Sequence, residues 1–377
     1  MIPFAPLLAA AIAASPPGAI PRERSHATHQ VGLGAVFTTP DGGQIFGFDV
    51  DRNGSDAIYD SSVSSGIADT SSVGTFDQNT GKVIKIVKTV HSPKGNDEIV
   101  TFGIVGADVG FVDDELVHLD PVRRHDIFDL LNPVSGNKIT GRWLPPHAKG
   151  NILWSLAPNQ NSDTQVAMMI NGLHAYLYVW NSATNAFLKE FHVPFVTTSV
   201  AVDTVTDQAV LAGDQPNGAP TITLINLKNG DPFTFVGLNN AFAVGPSSLA
   251  VDSNTGIACT PQSGNAQVVF YTLSNGVGTA VQLPRTNNQS QLNSGAAVTN
   301  DPVNKLFLVA QPYSTTASGS SIDVYDETGN LVETINGFNF QGLDRLPQFP
   351  VKIAINPSRR VGWVQGASAS QLQQFFY

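Results

Sequence analysis

Four stretches in the C-terminal half repeat one pattern: an apolar run, an Asp or Asn turn, and a second apolar run. They are "SVAVDTVTDQAVLAG" from Ser199, "SLAVDSNTGIACTPQ" from Ser248, "AAVTNDPVNKLFLVA" from Ala296 and "VKIAINPSRRVGWVQ" from Val351. Each of the first three is followed by a further strand–turn–strand unit: "TITLINLKNGDPFTF", "QVVFYTLSNGVGTAV" and "SIDVYDETGNLVETI". One repeat is therefore four short strands in a meander. The step from Ser199 to Ser248 is 49 residues, within the range of a propeller blade. Asn-Gly, Thr-Gly, Ser-Gly and Asp-Pro punctuate the apolar runs, and long helical periodicity is almost absent, which is the pattern of an all-β chain with tight turns.

The N-terminal half fits the same template in three further units, 44–88, 101–143 and 152–193, making seven in all. The last unit stops at "QLQQFFY", which matches a third strand, and the missing fourth strand is expected from "HQVGLGAVF" near the N-terminus. Such an arrangement leaves no open sheet edge. The expected fold is all-β: a seven-bladed β-propeller of four-stranded antiparallel blades, with the ring closed by an N-terminal strand. Residues 29–377 are read as this single domain, and residues 1–28 as a signal peptide and leader.

"AVDTVTDQAVLAGDQPNGAPTITLINLKNG" resembles a blade of the YVTN/NHL-type β-propeller superfamily, and the likeness extends over most of the chain after the leader. The resemblance implies the fold and a loose set of functions: surface-layer proteins, scaffolds, lactonases and lyases. Fold alone does not choose among them. "FDQNTGKVIKIV" is faintly similar to the blade signature of pyrroloquinoline-quinone dehydrogenases, but that family carries a tryptophan in nearly every blade and this chain has 4 Trp. No quinone cofactor is expected.

With 20 basic and 30 acidic residues the net charge is −10. There is no Lys/Arg cluster, which argues against nucleic-acid partners and anionic membrane surfaces. Phe4 to Ala14 is a short apolar run followed by small residues, so the expected location is secreted or periplasmic. The run is too short to span a bilayer, and no later segment approaches the length of a membrane span. Cys259, in "GIACT", has no second cysteine to pair with and reads as a buried structural thiol.

The most acidic stretch is "GFDVDRNGSDAIYD", Gly47 to Asp60. Asp49, Asp51, Asn53 and Asp56 are spaced as in oxygen-rich calcium loops and make a candidate Ca2+ site. Against that, Asp51 aligns with Asp203, Asp252, Asp301 and Asn356 in the sibling repeats. This position is suited to bonding backbone N–H groups of a strand-to-strand turn. Asn53-Gly54 is also a hairpin signal in its own right. The solvated turn and the calcium loop stand as alternative readings.

All eight histidines precede residue 193. His91, His147 and His192 fall at or near expected blade-to-blade connections. His118 and His125, with Asp120 and Asp126, fall in an expected second-to-third-strand connection. These loops share one rim, so a metal or acid/base site is one expectation there and ordinary surface histidines the other. Arg123-Arg124 suits an anionic ligand or simple pairing with the nearby aspartates. No Gly-x-Ser-x-Gly or Walker-type loop is present. The long connections 285–295 and 336–350, the latter carrying Phe338, Phe340 and Phe349, suit either function or local packing.

The functional expectation is a binding or scaffold module, monomeric, for an unidentified protein or small-molecule ligand. The alternative is a metal-dependent hydrolase, lactonase or lyase with its site at the central channel.

Overall fold

The computed structural model describes residues 31–65, 68–93, 109–112, 115–120, 127–131, 138–143, 152–157, 164–171, 174–181, 184, 186–193, 196–214, 220–236, 248–262, 267–283, 297–311, 320–338, 352–366 and 368–377. Residues 1–28, read from the sequence as a leader, lie outside them. Val31–Tyr377 forms one compact unit.

Within it, every described sheet is four-stranded and antiparallel, and all but one are meanders of consecutive strands. The first sheet is β2 (Gln44–Val50), β3 (Asp56–Ser65), β4 (Ala68–Asp77) and β5 (Val83–Pro93). The second is β6 (Val109–Val112), β7 (Glu115–Asp120), β8 (Ile127–Leu131) and β9 (Lys138–Trp143). The third is β10 (Ile152–Ala157), β11 (Thr164–Asn171), β12 (His174–Asn181) and β13 (Ala186–Val193). The fourth is β14 (Val196–Asp203), β15 (Gln208–Asp214), β16 (Pro220–Asn226) and β17 (Pro232–Val236). The fifth is β18 (Ala250–Asp252), β19 (Ile257–Gln262), β20 (Gln267–Thr272) and β21 (Val277–Gln282). The sixth is β22 (Ala297–Asp301), β23 (Leu306–Gln311), β24 (Ser320–Asp326) and β25 (Leu331–Phe338). The remaining sheet joins β26 (Ile353–Asn356), β27 (Val361–Gln365) and β28 (Gln371–Phe376) to β1 (Gly32–Thr38), which lies antiparallel to β28 with Phe37 opposite Leu372.

The leading strand of each sheet touches the leading strand of the next, and β26 touches β2. This is an all-β propeller of four-stranded antiparallel blades. The first sheet runs to Pro93, farther than the repeat pattern suggests, because β4 and β5 pair over a long ladder from Phe76↔Val83 to Ala68↔Pro93.

The core lies in the seams between sheets. Along β23, Leu306, Leu308 and Ala310 pack with Ile353, Ile355 and Phe375 of the next sheet, whereas Phe307 and Val309 pack with Cys259, Val268 and Phe270 of the sheet before. Successive side chains on a strand point to opposite faces. A strand covered on both faces therefore needs apolar residues at every position, and "LFLVAQ" is buried throughout. The Cys259 thiol sits in one of these seams, fully buried, and burial pushes its pKa well above the ordinary thiol value.

The turns after the third strands lock neighbouring sheets together. Gly81 (φ 66°) lies against Trp363 and Val36, Gly230 (φ 82°) against Phe191, and Gly329 (φ 86°) against Val281 and Phe270. Each contact is with the preceding sheet. A side chain here would face both an unfavourable backbone and an occupied space.

Candidate functional site

The first-to-second-strand turns are built alike. Asp51 Oδ1 accepts the Asn53 N–H at 2.8 Å, Asp203 Oδ1 that of Val205 at 3.0 Å, Asp252 Oδ1 that of Asn254 at 2.9 Å and Asp301 Oδ1 that of Val303 at 3.0 Å. Asn356 Oδ1 takes the Ser358 hydroxyl at 2.7 Å and the Arg359 N–H at 3.3 Å. Four of these turns end on a residue with positive φ: Asp207, Gly256, Lys305 and Arg360.

The turn at Asp51 differs. Gly54 is not among the residues with positive φ, so Asn53-Gly54 does not form the two-residue hairpin its composition suggests. The turn closes instead from Asp51 N to Asp56 O at 2.9 Å. Gly54 is needed for another reason: a Cβ there would lie 2.0 Å from Asp51 Oδ2. The carboxylate folds over its own turn. The backbone carbonyls of the turn are occupied by amides. Gln78 Nε2 donates to Asp51 O (2.8 Å) and Asp56 O (2.6 Å), and Asn356 Nδ2 donates to Asp51 O (2.9 Å) and Gly54 O (3.0 Å).

Of the other candidate calcium ligands, Asp49 Oδ1 accepts the Val50 N–H at 2.8 Å and Asp56 Oδ1 faces the Ser55 hydroxyl at 3.4 Å. Among the described residues, no group of three or more His, Cys, Asp or Glu side chains is placed to hold a metal ion.

The leading strands surround a cavity of about 390 Å³. Its lining mixes small apolar residues with serine, threonine and asparagine side chains. Counting back two residues from each turn residue gives Asp49, Ala201, Ala250, Thr299 and Ala354, all of which line it. Asp49 is the carboxylate of this set, beside the methyl side chains of Ala201, Ala250 and Ala354 and the hydroxyl of Thr299. Arg52 at the turn and Lys352 at the start of the last leading strand are the other charged side chains among the described lining residues. The charged sector thus comes from the first and last sheets, where β2 and β26 meet.

The histidines fall elsewhere. His91 is in β5, opposite Thr70, and His192 is in β13, opposite Tyr176, with the two rings stacked at 5.0 Å between centroids. Both strands are the outermost of their sheets, about 14 Å from the leading strand at three strand spacings. His118 is in the middle of β7, opposite Val109 and Asp129, not in the second-to-third-strand connection where the sequence reading put it. An apolar-alternating "ELVHLD" is strand-forming, and the connection begins after Asp120. His125, His147, Arg123, Arg124, Asp126 and the segment 285–295 lie outside the described residues. Phe338, from the segment 336–350, is buried edge-to-face on Phe375 at 5.9 Å, so it serves packing.

Sequence reasoning missed the residue that follows each third strand: Gln78, Leu227, Leu273, Glu327 and Tyr377. Its N–H bonds the first turn of its own sheet: Gln78 to Ser55 O at 2.7 Å, Leu227 to Asp207 O at 3.0 Å, Leu273 to Gly256 O at 2.9 Å and Tyr377 to Arg360 O at 3.4 Å. Its side chain can then reach the turn of the preceding sheet. Gln78 Oε1 accepts from Asn356 Nδ2 at 3.3 Å, and Tyr377 donates its hydroxyl to Asp301 Oδ2 at 3.0 Å.

No family model matches the chain, and no curated protein does. Solved structures share its fold. One chain in a structure described as "Crystal Structure of Mitotic Checkpoint Complex" superposes with a TM-score of 0.63 at 13% identity, over 98% of each chain. The "Structure of Dos1 propeller" superposes with a TM-score of 0.59 at 10% identity, over 92% of this chain and 95% of that one. At such identities the likeness is one of fold, and the chain is a β-propeller.

Proposed function

We propose that the chain is an exported binding module: a seven-bladed ring, closed by β1 beside β28, that holds a protein partner on one end. The YVTN/NHL-type kinship belongs to the same proposal, and the repeated strand–Asp turn–strand pattern supports it. So does the leader for export to the periplasm or beyond. The observation that carries the binding reading is exposed apolar surface at the end of the propeller formed by the first-to-second and third-to-fourth-strand turns. Val205 is 68% exposed, Val303 67%, Val277 59% and Val332 58%. They come from the fourth, fifth and sixth sheets. In a meander both kinds of turn lie at the same end, so Val205 and Val303, in first-to-second-strand turns, and Val277 and Val332, at the starts of fourth strands, lie at that end. Apolar surface at several adjacent turns is characteristic of docking sites.

The test is a photo-crosslinking amino acid placed at Val205 or Val303 in producing cells. A discrete protein adduct is expected at these positions and not at Lys82, an exposed polar site on the first sheet. Equal or absent labelling at all three would remove the reading. Fractionation with N-terminal sequencing tests export.

The metal-dependent hydrolase reading requires several carboxylates, amides or imidazoles converging on the channel. Asp49 is the carboxylate among the described lining residues, which supports that reading less.

A further inference from the structure

Of the residues that follow the third strands, Leu227 and Leu273 are apolar, and the three polar ones, Gln78, Glu327 and Tyr377, each face the turn residue of the preceding sheet. At the seam of the last and first sheets an amide meets an amide, Asn356 to Gln78. At the next seam back a phenol meets a carboxylate, Tyr377 to Asp301. At the seam of the fifth and sixth sheets the same two positions hold Asp252 and Glu327, and with both ionised neither carboxylate can donate. The Glu327 carboxyl lies against that of Asp252 and raises its pKa, after the larger effect of burial. Asp252 is fully buried, and its Oδ2 has no hydrogen-bond partner; Glu327 Oε1 is likewise buried and unpartnered.

A third oxygen joins them. In the sibling turns the side chain three residues on closes over the second carboxylate oxygen: Thr206 Oγ1 to Asp203 Oδ2 at 2.7 Å, and Asn304 Nδ2 to Asp301 Oδ2 at 2.7 Å. Thr255 occupies that position beside Asp252, yet its Oγ1 is buried with no partner. The turn that has the means to close on its own carboxylate, as its siblings do, leaves that hydroxyl unused.

Two carboxylate oxygens and a hydroxyl oxygen at one seam, each without a hydrogen-bond partner, are hard ligands. We propose that Asp252, Glu327 and Thr255 form a binding site for a hard divalent cation, Ca2+, bridging the fifth and sixth sheets. The ion takes the place of the hydrogen-bond donors that the amide and the phenol supply at the other two seams. Waters complete a coordination shell of six to eight oxygens, and a site with so few protein ligands belongs to the weak class, with Kd on the order of 10⁻⁴–10⁻³ M. The site is separate from the Asp49–Asp56 loop, whose turn is closed by amides.

The test is thermal unfolding of the full chain in EDTA and in 5 mM CaCl2 at matched ionic strength, pH 7.5. Ca2+ is expected to raise the Tm by about 2 °C. Glu327→Gln is expected to raise the Tm in EDTA, because its amide donates to Asp252, and to abolish the Ca2+ response. Asp49→Asn is expected to keep the full response. Should Glu327→Gln fail to fold, Thr255→Ala, which changes no charge, is expected to reduce the response instead. A response lost in Asp49→Asn but retained in Glu327→Gln would overturn the proposal and place the ion in the first-sheet loop. No wild-type response, with a Tm in EDTA that climbs as the pH falls towards 5, would also overturn it, in favour of a proton shared by the two carboxyls.

Discussion

The Tyr377 hydroxyl donates to Asp301 Oδ2 at 3.0 Å in a seam where both residues are fully buried. Asp301 is also held by Val303 N–H, Asn304 N–H and Asn304 Nδ2, so its carboxylate ties its own turn to the neighbouring sheet. Tyr377→Phe keeps the ring and its position under Arg360, 5.3 Å from the ring centroid, and removes only the hydroxyl. A hydrogen bond to a charged acceptor contributes about 1.5–3 kcal/mol. With three donors remaining on Asp301, the expected loss is about 1–2 kcal/mol in denaturant unfolding. Tyr325 is the control. Its hydroxyl is buried and unpartnered, so Tyr325→Phe is expected to leave stability unchanged or raise it slightly.

The glycine docking between sheets gives a second prediction. At Gly329 the backbone has φ 86°, and an added Cβ would lie 2.6 Å from Val281 Cγ2. Gly329→Ala is expected to cost about 2–3 kcal/mol, the sum of a left-handed alanine and an overpacked contact. Gly256→Ala is the informative comparison: its φ is 66° but nothing lies within 4 Å of the added carbon. That variant should lose about 1 kcal/mol, the backbone part alone. Equal losses would mean that sheet-to-sheet docking at Gly329 contributes nothing.

Much of the fold was legible in the chain because a blade is a local object. Strand, Asp turn and strand lie within fifteen residues of one another, and each copy repeats the signal at Asp203, Asp252, Asp301 and Asn356. What joins the blades was not legible. Gln78 meets Asn356 across 278 residues of sequence, and nothing near either residue announces the other. Only after the strands are in register does the position following each third strand become a class, with Tyr377, Glu327 and Gln78 as members. His118 was misplaced for a related reason, whereas His91 and His192 do lie close to the ends of the last strands of their sheets, next to the connections. A His within "ELVHLDP" reads as the start of a loop because of the Asp-Pro that follows, but β7 extends through it to Asp120.

Gly54 separates the two readings of the acidic turn. Its Cα faces the Asp51 carboxylate so closely that a methyl group would displace it. Gly54→Ala therefore forces Asp51 out of its bond to Asn53 N–H, and the loss should match that of Asp51→Ala, about 1 kcal/mol by analogy with a cap. Asp51→Asn retains the acceptor and should cost less than half as much. The two single losses should not add in the double variant Gly54→Ala/Asp51→Ala, because both remove the same bond. Full additivity in urea unfolding would show that Gly54 acts on something other than Asp51.

Buried phenols set the alkaline limit. Tyr59, Tyr325 and Tyr377 all have pKa values raised well above the ordinary 10.0, first by burial and then by the neighbouring carboxylates Asp41, Asp323 and Asp301 respectively. In the folded chain each keeps its proton where an unfolded tyrosine would lose it. Above about pH 10 the unfolded state therefore binds fewer protons than the native state, and stability falls as pH rises. The contribution is fully present below the unfolded pKa and is lost progressively above it. Tyrosinate absorbance at 295 nm, followed against pH, should show the exposed tyrosines ionising first and the buried ones ionising together with loss of the β-sheet circular dichroism signal. Tyr377→Phe removes one of the three phenols that must ionise, so its slope of stability against pH above 10 should be shallower than wild type. A slope unchanged by that substitution would show that the Tyr377 phenol does not resist ionisation in the folded chain.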